Sequence, residues 1–376
     1  MILLKIPVNR LYVKGQRMSG KRQNGIFNLY NILTGKIMMR ILLRNVVLKL
    51  LGLFIVFGNS LSLYAQGAVL DPNSESDKMI ITRYIQTRGA NFFRDNAISY
   101  RNEFQNLASN ANDSELEMLS DPITIAIPDR KDVVEVIISD GDMVGVQYRT
   151  TGTHLGNLFG IPATGKSIDI QSVGFYKLED GLIVESFEMA DEAALLKQLG
   201  RWLPDRADGL VVVPSNTFPV REGSHILMDI LAKPEESDTY TNKVRVSAYK
   251  SQIRPFNQIF DGRPYETYTR AGFYHLGISG NHYGAGDQGI GPSFRHDRND
   301  KVSLIIAEDN VVMILFLLTG TDTKGLFGND PSNNTVGAWE AGVHLFDQTT
   351  WKEGWWFGDD IGMMLQIGAP PEFMIY

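Results

Sequence analysis

The chain has 376 residues, with 36 Lys and Arg against 43 Asp and Glu, and no cysteine. Ten of the basic residues fall within the first 65 positions, which hold no acidic residue, so the remainder carries 26 basic against 43 acidic groups. A surface this acidic repels phosphate backbones and argues against nucleic-acid binding, and without cysteine there is no disulfide, thiol nucleophile or thiolate metal site.

In chain order, residues 1–37 read as a misassigned extension, with the start at Met38 or Met39. Arg40, Arg44 and Lys49 then precede the apolar run Leu50 to Phe57, a small polar stretch at Gly58-Asn59-Ser60, and a cleavage sequence at Leu63-Tyr64-Ala65. That order is the signature of a secretory signal peptide over 38–65, which implies a periplasmic or extracellular protein. A membrane anchor is the alternative. The polar residues between Gly58 and Gln66 make a poor span, so no stable membrane span is expected after cleavage.

Met79, Ile80, Tyr84, Ile85, Phe92 and Phe93 recur at helical spacing in a segment running to Asn106, with a break expected at Gly89. Ile123 to Ile127 alternates like a strand. Four further strands are expected at 133–138, 144–151, 167–178 and 182–189, with turns at Asp140-Gly141-Asp142 and Glu179-Asp180-Gly181. A short helix follows from Asp191 to Leu199. Residues 204–220 form a linker, a second helical region broken at Pro234 and Pro255 covers about 222–260, and a Gly-rich loop runs from Gly277 to Pro292. A helix followed by strands and tight turns predicts an α+β fold with helices on one face of an antiparallel sheet.

The segment from Pro128 to Gly200 recurs without a gap 168 positions later. Asp129, Arg130 and Asp132 pair with Asp297, Arg298 and Asp300; Thr151-Gly152-Thr153 pairs with Thr319-Gly320-Thr321; Asp191 pairs with Asp359, and Gln198 and Gly200 with Gln366 and Gly368. Solenoid repeats span only ~20–50 residues, so this is a duplicated globular unit. The expected domains are 66–203 and 221–376.

Gly160 to Ser167 fits the phosphate-loop pattern G-x-x-x-x-G-K-S. That chemistry needs a helix after the loop, to aim amides at phosphate. An alternating strand follows instead, and the second copy lacks the Gly-Lys pair, so nucleotide binding is rejected. His275, His282, Asp287 and His296 fit no recognised metal spacing and read as loop residues, with no metal or other cofactor expected.

The run from Thr151 through Lys166, then Asp180-Gly-Leu-Ile-Val-Glu185, Asp191 and Gln198-Leu-Gly200, resembles the SnoaL-like polyketide cyclase, or ester cyclase, family. The resemblance covers about 77–203 and reaches 222–368 mainly through the repeat. It implies tandem cone-shaped α+β barrels of the nuclear-transport-factor-two-like superfamily, each a curved, mostly antiparallel sheet wrapped around helices and an apolar pocket, with domains pairing sheet to sheet. Two copies would then pack as an internal pseudo-dimer, with further homo-oligomerisation open.

The resemblance also implies that Asp191 is the cofactor-free general acid/base, with Asp359 as its counterpart. A carboxylate at the mouth of an apolar pocket has a raised pKa and exchanges protons near neutrality. Asp is equally a favoured helix N-cap, and Asp191 stands immediately before a helix. His154 is a further candidate, for catalysis or for fixing the loop that follows it; its repeat partner is Asp322. Tyr148, Phe175 and Tyr176 are expected to wall the pocket. Where the family's cyclases place polar residues on the strand before D-G-x-I-x-E, this chain has Val173, Phe175 and Tyr176. Trp339, Trp351, Trp355 and Trp356 crowd the second half; Trp355 is the candidate for stacking on a ligand, and filling a core or a domain seam is the alternative. Two functions follow: a cyclase- or isomerase-like enzyme for a small apolar carbonyl compound, or a non-catalytic envelope module binding a small molecule or a protein.

Overall fold

The computed structural model describes residues 77–101, 122–158, 160–201, 219–251, 267–270, 293–294, 296–326 and 329–368. The leader, most of the 204–220 linker and the Gly-rich loop, with His275, His282 and Asp287, lie outside them. Among the described residues no helix is long and apolar enough to cross a membrane.

The first half begins with α1 (Asp77–Thr87), followed by β1 (Phe93–Arg101), α2 (Pro122–Ala126), β2 (Lys131–Asp140), β3 (Met143–Thr153), β4 (Ser167–Glu179), β5 (Leu182–Ala190) and α3 (Glu192–Leu199). The second half contains β6 (Arg221–Glu222), α4 (Gly223–Leu231), α5 (Asp238–Lys250), β7 (Thr267–Arg270), β8 (Asn299–Glu308), β9 (Val311–Thr321), β10 (Thr335–Asp347), β11 (Thr350–Gly358) and α6 (Asp360–Ile367). Strands β2 to β5 and helix α3 map onto β8 to β11 and α6 with every boundary displaced by 168.

Each half builds one mixed, mainly antiparallel sheet. The first has the order β1-β5-β4-β3-β2 and the second β6-β8-β9-β10-β11-β7, with β1 on β5 and β7 on β11 as the parallel pairs. The fold is therefore α+β in two copies, as the sequence predicts. Among the described residues neither sheet closes on itself, which corrects the expectation of barrels. Five or six strands are fewer than the eight or so that enclose a side-chain-filled interior, and helices cover the inner face instead.

Two local expectations fail for identifiable reasons. Ile123–Ile127 contributes to a short helix, not a strand, because Ile123, Ala126 and Ile127 are buried together; a five-residue apolar run cannot separate the two periodicities. The helical pattern through Phe93 stops at α1, where Arg88 adopts a left-handed φ of 52°, and the chain then pairs as β1 along β5.

The repeated details are side-chain as well as backbone. Asp191 caps α3 by accepting from the Ala194 amide, and Asp359 caps α6 from the Gly362 amide, at 2.9 and 3.0 Å. Gly200 and Gly368 end those helices with φ of 64° and 74°, a conformation open to glycine because it lacks a Cβ. Gln198 brackets the backbone of Asp169 (2.7 and 2.6 Å) as Gln366 brackets Gly337 (2.8 and 2.7 Å).

The outer faces of the two sheets share one apolar layer. Val173, Phe175, Phe187 and Met189 pack with Ile306, Met313, Leu315, Trp339 and Phe357, and the Phe187 and Trp339 rings lie 5.4 Å apart. The backbone at Gly145 approaches so closely that an added Cβ would stand 2.8 Å from the Met313 sulfur. At the layer's edge, Asp140 accepts from the Ala307 amide (3.1 Å) and Lys243 (2.6 Å), while Glu308 accepts from the Ser139 amide (3.0 Å) and Lys78 (2.7 Å).

Candidate active site inside the first sheet

The inner face of the first sheet is set by strand register. Opposite Gly174 on β4 stand Val146 of β3 and Glu188 of β5. Side chains two apart on a strand share a face, so Tyr148, Tyr176 and Glu188 look inward, toward α1. That helix presents Tyr84 and, just beyond its end, Arg88. Gly174 makes room for the ring of its neighbour: a Cβ there would collide with the Tyr176 hydroxyl.

These residues form one buried polar cluster. Glu188 accepts from the Tyr84 hydroxyl at 2.8 Å, the Tyr148 hydroxyl at 3.3 Å and Arg88 at 2.8 Å. Arg88 also reaches Asp132 (3.3 Å), and its guanidinium lies over the rings of Tyr148 and Tyr84 at 4.9 and 5.3 Å. Tyr176 packs edge-on to Tyr84 at 5.6 Å, and its buried hydroxyl has no hydrogen-bond partner among the described residues. Burial, then the negative charge of Glu188, holds the phenols of Tyr84 and Tyr176 well above the usual tyrosine range. Both stay protonated; Tyr84 donates to Glu188, and the Tyr176 hydroxyl is left with a proton to give.

Of the residues predicted from sequence, Tyr148 and Tyr176 belong to this cluster. Phe175 lies on the opposite face because successive strand residues alternate; it borders a small cavity of about 180 Å³ between Met143 on one side and Ser303 and Leu304 on the other. Trp355 packs against the shared layer and donates its ring N–H to Glu353. His154 is buried at the start of the loop, where its Nδ1 accepts from the Thr164 amide at 3.3 Å and burial lowers its pKa. Its counterpart Asp322 also pins a loop, holding Ser293, Gly325 and Ser332. Asp191 and Asp359 cap α3 and α6. His296 is exposed, and among the described residues no group of three His, Asp or Glu could hold a metal.

Glu188, Tyr84 and Arg88 escaped the sequence reading. Alternation separates a polar face from an apolar one only when one face meets water, and both faces of β5 are covered.

Residues 86–199 match the family model for SnoaL-like polyketide cyclase, the family that the motifs of this segment resemble. Among solved structures, the chain is similar to a candidate SnoaL-like polyketide cyclase from Jannaschia sp. CCS1, at 20% identity over 33% of this chain and 90% of that one, with a TM-score of 0.27. It is similar to AclR, a candidate hydroxylase from Streptomyces galilaeus, at 22% identity over 33% and 90%, TM-score 0.27. IdmH, a candidate polyketide cyclase from Streptomyces antibioticus, matches at 18% identity over 34% and 99%, TM-score 0.28. No curated protein sequence matches the chain.

Proposed function

We propose that the chain is a SnoaL-like acid/base catalyst, a cyclase or isomerase, acting without a cofactor on a small, largely apolar carbonyl compound. The observation that carries this reading is the buried Glu188 carboxylate, faced by the protonated phenols of Tyr84 and Tyr176 and held by Arg88. Glu188 takes a proton from the carbon beside the carbonyl. Tyr176, whose hydroxyl is unengaged, donates to the oxygen on which negative charge develops, where a fixed donor in a dry site is most effective. Arg88 holds the carboxylate and Tyr84 in place. Asp191 and Asp359, the motif-derived proton carriers, then act as helix caps that fix the ends of β5 and β11.

The reading extends to the whole chain: domains at 66–203 and 221–376 working as an internal pseudo-dimer, exported under the 38–65 signal sequence. N-terminal sequencing of the protein recovered outside the cytoplasm tests export, with Gln66 the expected first residue.

Capping by Asp191, and an interior filled by Tyr84 and Tyr176, favour a second reading, a non-catalytic module that binds a small molecule. Exchange of α-protons for deuterium, followed by NMR for a panel of small enolisable ketones, decides between them. Catalysed exchange that disappears in Glu188→Gln supports the enzyme. Saturable binding with no exchange supports the binding module.

A further inference from the structure

The interior of the second half carries a different set of groups at the same positions. His344 stands where Tyr176 does, Trp356 where Glu188 does, and Phe316 where Tyr148 does. The glycine is kept: a Cβ on Gly342 would collide with the His344 ring. A helix-borne cation is kept too, since Lys250 ends α5 as Arg88 follows α1. Lys250 is 2% exposed, with its Nζ 3.5 Å from the Phe316 ring centroid and 4.3 Å from that of Trp356.

Two features distinguish this site from a packed core. Lys250 shares its ion-pair partner: Asp300, 3.4 Å from its Nζ, is also held by Arg298 through bonds of 3.0 and 2.9 Å. Three buried polar atoms around it, both ring nitrogens of His344 and Nε1 of Trp356, have no hydrogen-bond partner among the described residues. Buried polar groups are nearly always satisfied, so three orphans carried by two adjoining rings point to a polar occupant. His344 and Trp356 touch at 4.7 Å between ring centroids, and Lys250 sits on the same indole.

We propose that this interior is a second reactive centre, in which the Lys250 amine adds to a small aldehyde or ketone to form an imine, with Trp356 Nε1 donating to the carbonyl oxygen and His344 relaying protons. The amine lone pair forms the C–N bond while the C=O π pair moves to oxygen. His344, neutral and unprotonated, accepts a proton from nitrogen and returns it to that oxygen, giving the carbinolamine. A second proton passes from nitrogen to the hydroxyl, the C–O bond breaks, water leaves and the C=N bond forms. Burial, working against the charges of Asp300 and Glu340, brings the Lys250 pKa down to about 8, and burial with the nearby Lys250 charge lowers that of His344. The amine is thus available as a nucleophile far below the usual lysine range. This centre is independent of the Glu188 site.

The test uses the full chain, propanal and sodium cyanoborohydride near neutral pH, with labelled lysines located by peptide mass spectrometry. Lys250 should be alkylated several-fold faster than the exposed Lys131 and Lys233, although simple accessibility would make it the slowest. His344→Phe should slow labelling at Lys250 alone, and Glu188→Gln should leave it unchanged. Labelling of Lys250 no faster than that of the exposed lysines in the wild-type chain, or a Lys250 rate insensitive to His344→Phe, would overturn the proposal.

Discussion

Asp140 and Glu308 occupy the same place in the two copies, and each bonds across to the other's strand. Asp140 holds the amide of Ala307, the residue before Glu308, and Glu308 holds the amide of Ser139, the residue before Asp140. A lysine from the opposite half completes each, Lys243 on Asp140 and Lys78 on Glu308. Hydrogen bonds to charged groups contribute ~1.5–3 kcal/mol, discounted here because both carboxylates are partly exposed. Asp140→Ala and Glu308→Ala should each cost about 1 kcal/mol in urea unfolding. The double variant should depart from the sum of the two, because each carboxylate bonds the residue next to the other.

The caps make a matched pair for a second test. Replacing an Asp N-cap by Ala costs ~1 kcal/mol, so Asp191→Ala and Asp359→Ala should lower the urea midpoint by similar amounts. Asn at either position should restore most of the loss, since its side-chain oxygen still accepts from the amide. In the proposed mechanism, Asp191→Asn also leaves α-proton exchange intact. Loss of exchange in a folded Asp191→Asn protein would return the proton to Asp191.

Lys250 gives a signed pH dependence. Its folded pKa, near 8, lies below the ordinary 10.5, so the unfolded chain binds the extra proton between these values. Stability should therefore rise as pH increases from about 8 to 10.5, by about 3 kcal/mol at most. The groups facing Lys250 are Asp300, Glu340, Arg298 and His344. Lys250→Met should raise stability near neutral pH and flatten the rise. A wild-type stability that is flat or falling over this window would show that Lys250 is paired more fully than its contacts indicate.

Gly174 and Gly342 should be intolerant of any side chain. Gly174→Ala pushes the Tyr176 ring off its strand, and Gly342→Ala does the same to His344. Overpacking of this kind costs ~1–3 kcal/mol. In Gly174→Ala, α-proton exchange should fall more than the stability loss explains; in Gly342→Ala, labelling of Lys250 should slow while exchange persists.

The repeat register made most of the fold legible. The elements from Lys131 to Leu199 and their copies follow from turn residues at 140–142 and 179–181 and from strict alternation between them. The lapses occur where one element has neighbours on every side. Ile123–Ile127 is too short to declare a period, and β1 continues an apolar spacing that α1 had begun. The site was legible only where a motif ran through it. Tyr148 and Tyr176 were named because the family resemblance implies a pocket walled by these strands, whereas Glu188 lies between Phe187 and Met189, where both neighbours are buried. Lys250 was hidden for another reason: it ends a helix outside the exact repeat, where its sequence neighbours suggest an ordinary solvated lysine.

The close approach at Gly145 carries one more implication. Gly145 and Met313 are the same position in the two copies, and they meet each other. In a symmetric pair of identical subunits that meeting would be glycine against glycine, leaving a hole, or methionine against methionine, a clash. Only one of each fits. Joining the two copies in one chain guarantees that unlike partners always meet, so each half is shaped for the other and for no second copy of itself. Once the partner is fixed in this way, a change on one side need not be mirrored, and the two interiors are free to take up separate chemistries.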